Sequence, residues 1–566
     1  MVVAGTLVYS STLDYTGFRF DGQLFIVNNP LIKDLDYYTK LVNISKFSLL
    51  DEQLGLVSDV TTNFMMRPVS YLTFTFNYLL GELNPFSYRL VNIIIHIINT
   101  LLVYACVDRL LNFTPSINEL SRFSARFIPT VSAFIFLLHP MQTESVTYIT
   151  QRFASLAALF YLSTMYSYLL WCWQQQQGII KHNQTRWLSL ILLFLGMFTR
   201  ESLFTAPLMI LLLEVTVLDN TITAGFKRAK LHIAMLPIIP IMVFMVSAAQ
   251  NNTSPSLSGA INVVNYVETP ILHYALTQLV VVLNYLCLYL FPVGQSVEHE
   301  QTLYTVLHQL PVVSSLIIIL LMVVGAYYFY RKNQDDKRHA LIFVGICWYF
   351  LGLAVSSSVI PLPDLMVEHR AYFPAIGFIF ALICLLDILR TNIGSTKSNN
   401  IMVALIAIWC VILIVLTYNR NKVWESGIML WSNAVKHSPN SHRSNYNLGV
   451  AFIYAKNYHE AIKYLNKSIE IDPNWAQAYE VLAIALIELK RYHEAATVSI
   501  KGIDVNPASP VFYNNLGIAY AETGRMADAK QAFSTALALQ PGYINAINNL
   551  DSVESYFESS IGSRKK

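Results

Sequence analysis

Four prolines, Pro439, Pro473, Pro507 and Pro541, stand 34 residues apart in the last quarter of this chain. Ala461, Ala495 and Ala529 keep the same step, beside Glu460, Glu494 and Asp528. A step held this strictly calls for one supersecondary unit stacked on copies of itself, not a single globular core. No such period exists before about Tyr418, where long apolar runs alternate with short polar turns. The chain therefore changes character between Tyr418 and Trp424, and the two sides need separate accounts.

A 34-residue unit ending in proline, with small residues where paired helices approach, is the tetratricopeptide (TPR) signature. Leu448, Gly449, Ala461 and Pro473 begin the series. Leu482, Ala483, Ala495 and Pro507 follow, then Leu516, Gly517, Tyr520, Ala529, Phe533, Ala536 and Pro541. The spacing predicts repeats at 442–475, 476–509 and 510–543, a half-repeat from Trp424 to Pro439 and a capping helix from Tyr543 to Phe557, so that 424–566 forms one solenoid. Its concave face suits an extended segment or helix of a partner protein, while packing on the rest of the chain is the alternative role.

The remaining three quarters read as a polytopic membrane domain, 1–418. The 566 residues are 54% hydrophobic and only 13% charged, outside the range of soluble globular chains. The formal charge of +3 is too small to imply nucleic acid. Cys106, Cys172, Cys287, Cys347, Cys384 and Cys410 all lie in apolar stretches, none at metal-ligand spacing. No cleavable signal-peptide pattern marks the start.

A span takes ~20 apolar residues. Candidates lie at 88–107, 126–138, 153–173, 187–199, 202–218, 231–249, 272–292, 312–330, 341–360, 371–389 and 401–418. Arg109, Arg122 and Arg126; Lys181 and Arg186; Lys227, Arg228 and Lys230; Arg331, Lys332, Lys337 and Arg338; and Arg390 and Lys397 fall in alternate short loops, which the positive-inside rule makes cytoplasmic. The helices flanking 272–292 both meet basic loops, so that stretch is expected to be re-entrant or to lie along the outer face. Counting a partial helix before Thr12 gives about eleven spans, a long first outer loop at 13–87, and a repeat array on the outer, periplasmic side.

On that topology the ionisable residues near helix ends gather on the outer face. Asp21 and Arg67 fall in the first loop; His139, Glu144 and Arg152 in the second; Arg200 and Glu201 in the third; and Asp364, Glu368, His369 and Arg370 before the span from Ala371. Unpaired charge at membrane depth is costly, which makes these residues functional candidates. Arginines at helix termini bind phosphate bidentately, and a carboxylate can deprotonate an acceptor hydroxyl. Such groups would serve transfer from an anionic lipid carrier. Competing structural readings exist: Arg200 and Glu201 neutralising each other, His139 ending a helix, and His96 forming an interhelical hydrogen bond. Glu298, His299 and Glu300 are metal-capable types, but adjacent residues alternate in direction and seldom chelate together, so no metal is expected.

The runs FRFDGQLFIVNNPLI (18–32), RPVSYLTFTFNYLLGELNPFSYRLVNIIIHIINTLLVY (67–104), HPMQTESVTYITQRFASLAALFYL (139–162), TRESLFTAPLMILLLE (199–214) and IPLPDLMVEHRAYFPAIGF (360–378) resemble the bacterial relatives of the TMTC proteins. Those are multi-span GT-C glycosyltransferases with C-terminal TPRs. The resemblance implies an all-α fold, a GT-C-type membrane domain followed by a TPR α-solenoid. It also implies protein O-glycosylation from a polyprenyl-phosphate-linked sugar, mannose in the animal members, in the bacterial inner membrane. It puts the candidate base on Asp21, with Gly22 where the family often has a second acid. Glu144 matches the acid of the second-loop motif and Arg152 its following arginine. Arg200 and Glu201 match a basic-acidic pair at the donor phosphate, and Glu368 and Arg370 an E-x-R before a late span. Catalysis is thus expected at Asp21 and Glu144, donor-phosphate binding at Arg67, Arg152, Arg200 and Arg370, and support from Glu201, Glu368, His139 and His369. The acceptor protein is the partner expected on the repeats. The competing functions are a lipid or polysaccharide glycosyltransferase and a non-catalytic TPR membrane scaffold.

Overall fold

The computed structural model describes residues 1–40, 58–113, 121–178, 183–218, 221–251, 269–358 and 360–564. Lys181, residues 41–57 of the predicted first loop and 565–566 of the tail lie outside them. All regular structure among the described residues is helical. The chain forms two units, one of Met1–Gln295 with Gln301–Ser426, the other of Gly427–Lys566 with the short segment Ser296–Glu300.

Among the described residues of the first unit, eight helices are long and apolar enough to cross a membrane: Pro85–Asn112, Ile149–Gln176, Glu201–Leu218, Ile222–Val246, Ile271–Leu290, Leu310–Lys332, Pro374–Ile393 and Asn399–Val423. The pair Arg122–Leu138 and Pro140–Thr147, bent by 56°, would make a ninth. This falls short of the expected eleven, because Val2–Tyr9 has 8 residues, Gln184–Met197 has 14 and Lys337–Leu353 has 17, while Ile271–Leu290 adds one. The stretch expected to be re-entrant or to lie along the outer face is one unbroken 20-residue helix, Ile271–Leu290. The predicted first loop is also partly helical, over Ser58–Met66 and Pro68–Gly81.

Packing in this unit relies on small residues and polar clasps, since lipid gives helices no hydrophobic reason to associate. A Cβ on Gly345 would stand 2.5 Å from the carbonyl oxygen of Gly377, so helices Lys337–Leu353 and Pro374–Ile393 meet backbone to backbone. Near their basic ends Asp387, fully buried, accepts from Arg338 at 2.8 Å and pairs with Arg390 at 2.8 Å. His96 ties helix Pro85–Asn112 to helix Arg122–Leu138 through the Leu137 carbonyl at 3.2 Å and to the turn before Pro374–Ile393 through the Tyr372 hydroxyl at 2.8 Å.

The second unit stacks helix pairs His442–Tyr454 with Tyr458–Ile471, Ala476–Glu488 with Tyr492–Val505, and Pro510–Glu522 with Met526–Leu539. Gly427–His437 precedes them and Ile544–Arg564 follows. Each pair turns through a residue in the left-handed region, Lys456 (φ 57°), Lys490 (φ 59°) and Gly524 (φ 81°), again 34 apart. The next backbone N–H, of Asn457, Arg491 or Arg525, reaches back to Phe452, Leu486 or Tyr520 at 2.8–2.9 Å, closing a Schellman cap each time. Leu465, Leu482, Leu486 and Ala495 lie in its core.

Candidate functional site

A cavity of about 800 Å³ opens within the first unit, lined by Arg67, Arg200, Glu201, His369 and Arg370 among mostly apolar residues. Its apolar side includes Phe204, Leu208, Ile239, Val243, Phe244 and Leu351. Several of its lining residues lie at helix ends opposite to basic ones. Pro374 opens the helix whose last turn holds Arg390, and Leu351 lies in the last turn of the helix that begins at Lys337 and Arg338.

Three elements bring the arginines together. Arg67 directly precedes helix Pro68–Gly81, whose start is pinned when Val69 N–H donates to Phe198 O at 3.2 Å and Ser70 Oγ to Thr199 O at 3.1 Å. That register sets the Arg67 fork on Glu201, with Nε and Nη2 each 3.1 Å from a carboxylate oxygen. Arg200, in extended backbone (φ −165°, ψ 148°), caps the short helix Glu201–Thr205. Glu201 is therefore held mainly by Arg67, and no hydrogen bond engages the Arg200 side chain among the described residues. Burial, then the neighbouring Arg67 charge, pushes Arg200 down to about 10, still cationic at neutral pH.

Arg370 and His369 sit on the turn Glu368–Ala371, held from behind by helix Ile271–Leu290. Along one face of that helix Gln278 donates to Leu365 O at 2.8 Å, Tyr285 to Val367 O at 2.8 Å and Tyr289 to Ala371 O at 2.7 Å. The sequence reading named none of these residues, although polar groups at helical spacing on an apolar helix were the available signal. Arg370 Nη1 donates to Asp364 O at 2.7 Å. His369 Nδ1 lies 2.7 Å from Glu144 Oε1, and Glu144 is 1% exposed. The other oxygen of Glu144 and the other nitrogen of His369 have no hydrogen-bond partner among the described residues.

The remaining predicted residues lie elsewhere. Arg152 is wholly buried, with Nε on Asn92 Oδ1 at 2.7 Å, Nη1 on Asn77 Oδ1 at 2.6 Å and Nη2 on Tyr88 O at 2.8 Å. Its donors are spent inside the protein, and it is not a lining residue. His139 caps the turn Pro140–Gln142, accepting from Met141 N–H while its other nitrogen meets Tyr289 O at 3.0 Å. Glu368 is buried 3.8 Å from Arg420 and lies electrostatically close to Glu144. Asp21 is not a lining residue either. It follows Phe20, held at φ 50°, and its N–H donates to the Tyr148 hydroxyl at 3.1 Å. Tyr148 in turn stacks on Trp424. A Cβ on Gly22 would stand 2.9 Å from Phe18 Cβ, so a second acid there would crowd that ring.

Residues 421–501 match the family model described as anaphase-promoting complex, cyclosome, subunit 3, and residues 510–543 the model described as tetratricopeptide repeat. The human protein O-mannosyl-transferase TMTC3 is 23% identical over 500 residues, 82% of this chain and 50% of its own. The Caenorhabditis elegans protein O-mannosyl-transferase F38B6.6 is 24% identical over 438 residues, 76% of this chain and 56% of its own. The chain spans about half the length of the curated relatives it matches. Among solved structures, the second TPR domain of human RPAP3, in complex with an HSP70 peptide, is 26% identical over 20% of this chain and 94% of that one, with a TM-score of 0.20. The chain is thus a relative of the TMTC-type proteins across most of its length, and its tail carries TPR repeats.

Proposed function

We propose that this protein is a membrane glycosyltransferase of GT-C type that moves a hexose from a polyprenyl-phosphate carrier to Ser or Thr hydroxyls of exported proteins. The observation that carries the reading is the cavity. Three guanidiniums face one carboxylate there, a surplus of positive charge beside a wall of apolar side chains. A phosphate on an isoprenoid chain has the matching form, an anionic head and an apolar tail.

In the reaction the acceptor oxygen attacks the anomeric carbon and loses its proton to a base. The bond from that carbon to the phosphate oxygen breaks, and its electron pair leaves on polyprenyl phosphate. Arg200, with its donors uncommitted, and Arg370 stabilise that growing charge, and Arg67 holds Glu201 beside them. Asp21 is one candidate base through its motif, in a loop ordered by Tyr148. The repeats bind the acceptor protein, and the basic loops, read as cytoplasmic, support a periplasmic side for the cavity and for the repeats in a bacterial inner membrane.

Glycopeptide mass spectrometry of envelope proteins tests this in cells carrying the wild type, a deletion, or Arg200→Ala. A hexose mass on Ser or Thr should vanish in the deletion and fall strongly in the variant. Unchanged glycopeptides in the deletion would refute protein glycosylation. Transfer that survives removal of residues 427–566 would favour a lipid or polysaccharide acceptor.

A further inference from the structure

We infer that His369, aimed by Glu144, takes the proton of the acceptor hydroxyl, and that it becomes competent only when the donor phosphate is seated on the arginines. This inference rests on the transferase reading.

The geometry is that of an oriented base. Glu144 Oε1 lies 2.7 Å from Nδ1. Burial and Glu368 raise its carboxyl while Arg420 opposes them, and with Glu144 ionised the hydrogen sits on Nδ1 and Nε2 carries a free lone pair. Nε2 has no partner among the described residues, and His369 lines the cavity. Glu144 is buried with one oxygen unpartnered, so it gains most when the ring it faces turns cationic. Asp21 offers nothing equivalent, since it does not line the cavity.

The charges around the ring supply the coupling. Facing it are Glu144 from the short helix Thr143–Thr147, Arg67 and Arg200 from two neighbouring elements, and Arg370 from its own turn. Glu201 acts through Arg67, and Tyr285 stands behind the turn. Burial, then Arg200, Arg370 and Arg67, hold His369 well below the usual histidine range. In the empty cavity it is a poor base. A bound phosphate offsets the same three guanidiniums, the histidine's affinity for a proton rises, and Glu144 then stabilises the imidazolium. The proton therefore moves from the acceptor oxygen to Nε2 as that oxygen bonds to the anomeric carbon and prenyl phosphate departs. The proton is released to water once the phosphate leaves.

A consequence can be read without turnover: binding a prenyl phosphate should draw a proton onto the protein. Full-length protein would be titrated with citronellyl phosphate by calorimetry in two buffers of different ionisation enthalpy. Affinity should be about threefold or more tighter at pH 6.5 than at pH 8, because the bound state holds the extra proton. The ligand's own second ionisation works in the opposite sense and cannot mimic this. His369→Gln should bind within about threefold of wild type at pH 8, take up no proton, and lose about a hundredfold or more in donor turnover. Asp21→Asn should keep the proton uptake. Should His369→Gln fail to fold, Glu144→Gln carries the same test, with binding kept and both uptake and turnover cut. Uptake that persists in His369→Gln, or turnover within about threefold of wild type, overturns the inference. A wild type that binds no citronellyl phosphate at any pH overturns the transferase reading beneath it.

Discussion

The two units dispose of charge in opposite ways. In the repeat unit Arg491 with Glu494, Arg525 with Asp528 and Lys463 with Glu460 pair three residues apart on exposed helix surface. Such pairs are local and contribute little. In the membrane unit charge is buried or half-buried and its partners are distant in sequence: the buried Arg152 on Asn92 and Asn77, the half-buried Arg67 on Glu201 across 134 residues, the buried Glu144 on His369 across 225. Buried charge must find a partner or neutralise. The repeat unit is thus a fold whose stability comes from neighbours. The membrane unit uses its polar groups both to hold helices together and, where donors are left over, to bind.

The sharpest way to test this contrast is to remove one arginine of each kind. Arg152→Met should orphan the side-chain oxygens of Asn92 and Asn77 and cost about 3–5 kcal/mol, lowering yield and thermal midpoint in detergent. Arg200→Ala removes a guanidinium with no hydrogen bond to lose. It should leave the midpoint in place while turnover falls about a hundredfold. If both variants unfold alike, the division between structural and binding arginines is wrong.

Next in size is a change confined to the solenoid. A Cβ on Gly502 would fall 2.1 Å from Phe512 Cε1, where the second repeat meets the third. Gly502→Val should cost about 1–3 kcal/mol, read as faster hydrogen exchange in both repeats, with citronellyl phosphate affinity unchanged. The smallest effect is a gain. Lys490→Gly relieves a left-handed turn that the third repeat already builds with Gly524, and should stabilise the array by about 0.5–1 kcal/mol in a denaturant melt.

What the sequence reveals follows the same division. Residues Ala461, Ala495 and Ala529 are legible because each meets its neighbours at one fixed offset, so period alone finds the helix pairs. Arg67, Arg200 and Arg370 are legible as ionisable groups at helix ends. Their separation from Arg152 is not, because only the packing of Asn92, Asn77 and Tyr88 around Arg152 takes up its donors. Helix Ile271–Leu290 is only half legible for a related reason. The basic loops beyond its two neighbouring helices argue about sidedness, whereas its tyrosines, which carry the loop bearing His369, argue about position in the fold.

The repeat unit includes five residues made well before it, Ser296–Glu300. Glu298 accepts from Ser441, from Arg443 at 3.1 Å and from Ser444 at 3.0 Å, so a carboxylate occupies the start of the first repeat helix, where the helix dipole favours negative charge. During synthesis that acid is already waiting when His442 leaves the ribosome, and the solenoid can begin to order from a fixed end. A fragment cut at Gly427 would have to start from a bare one.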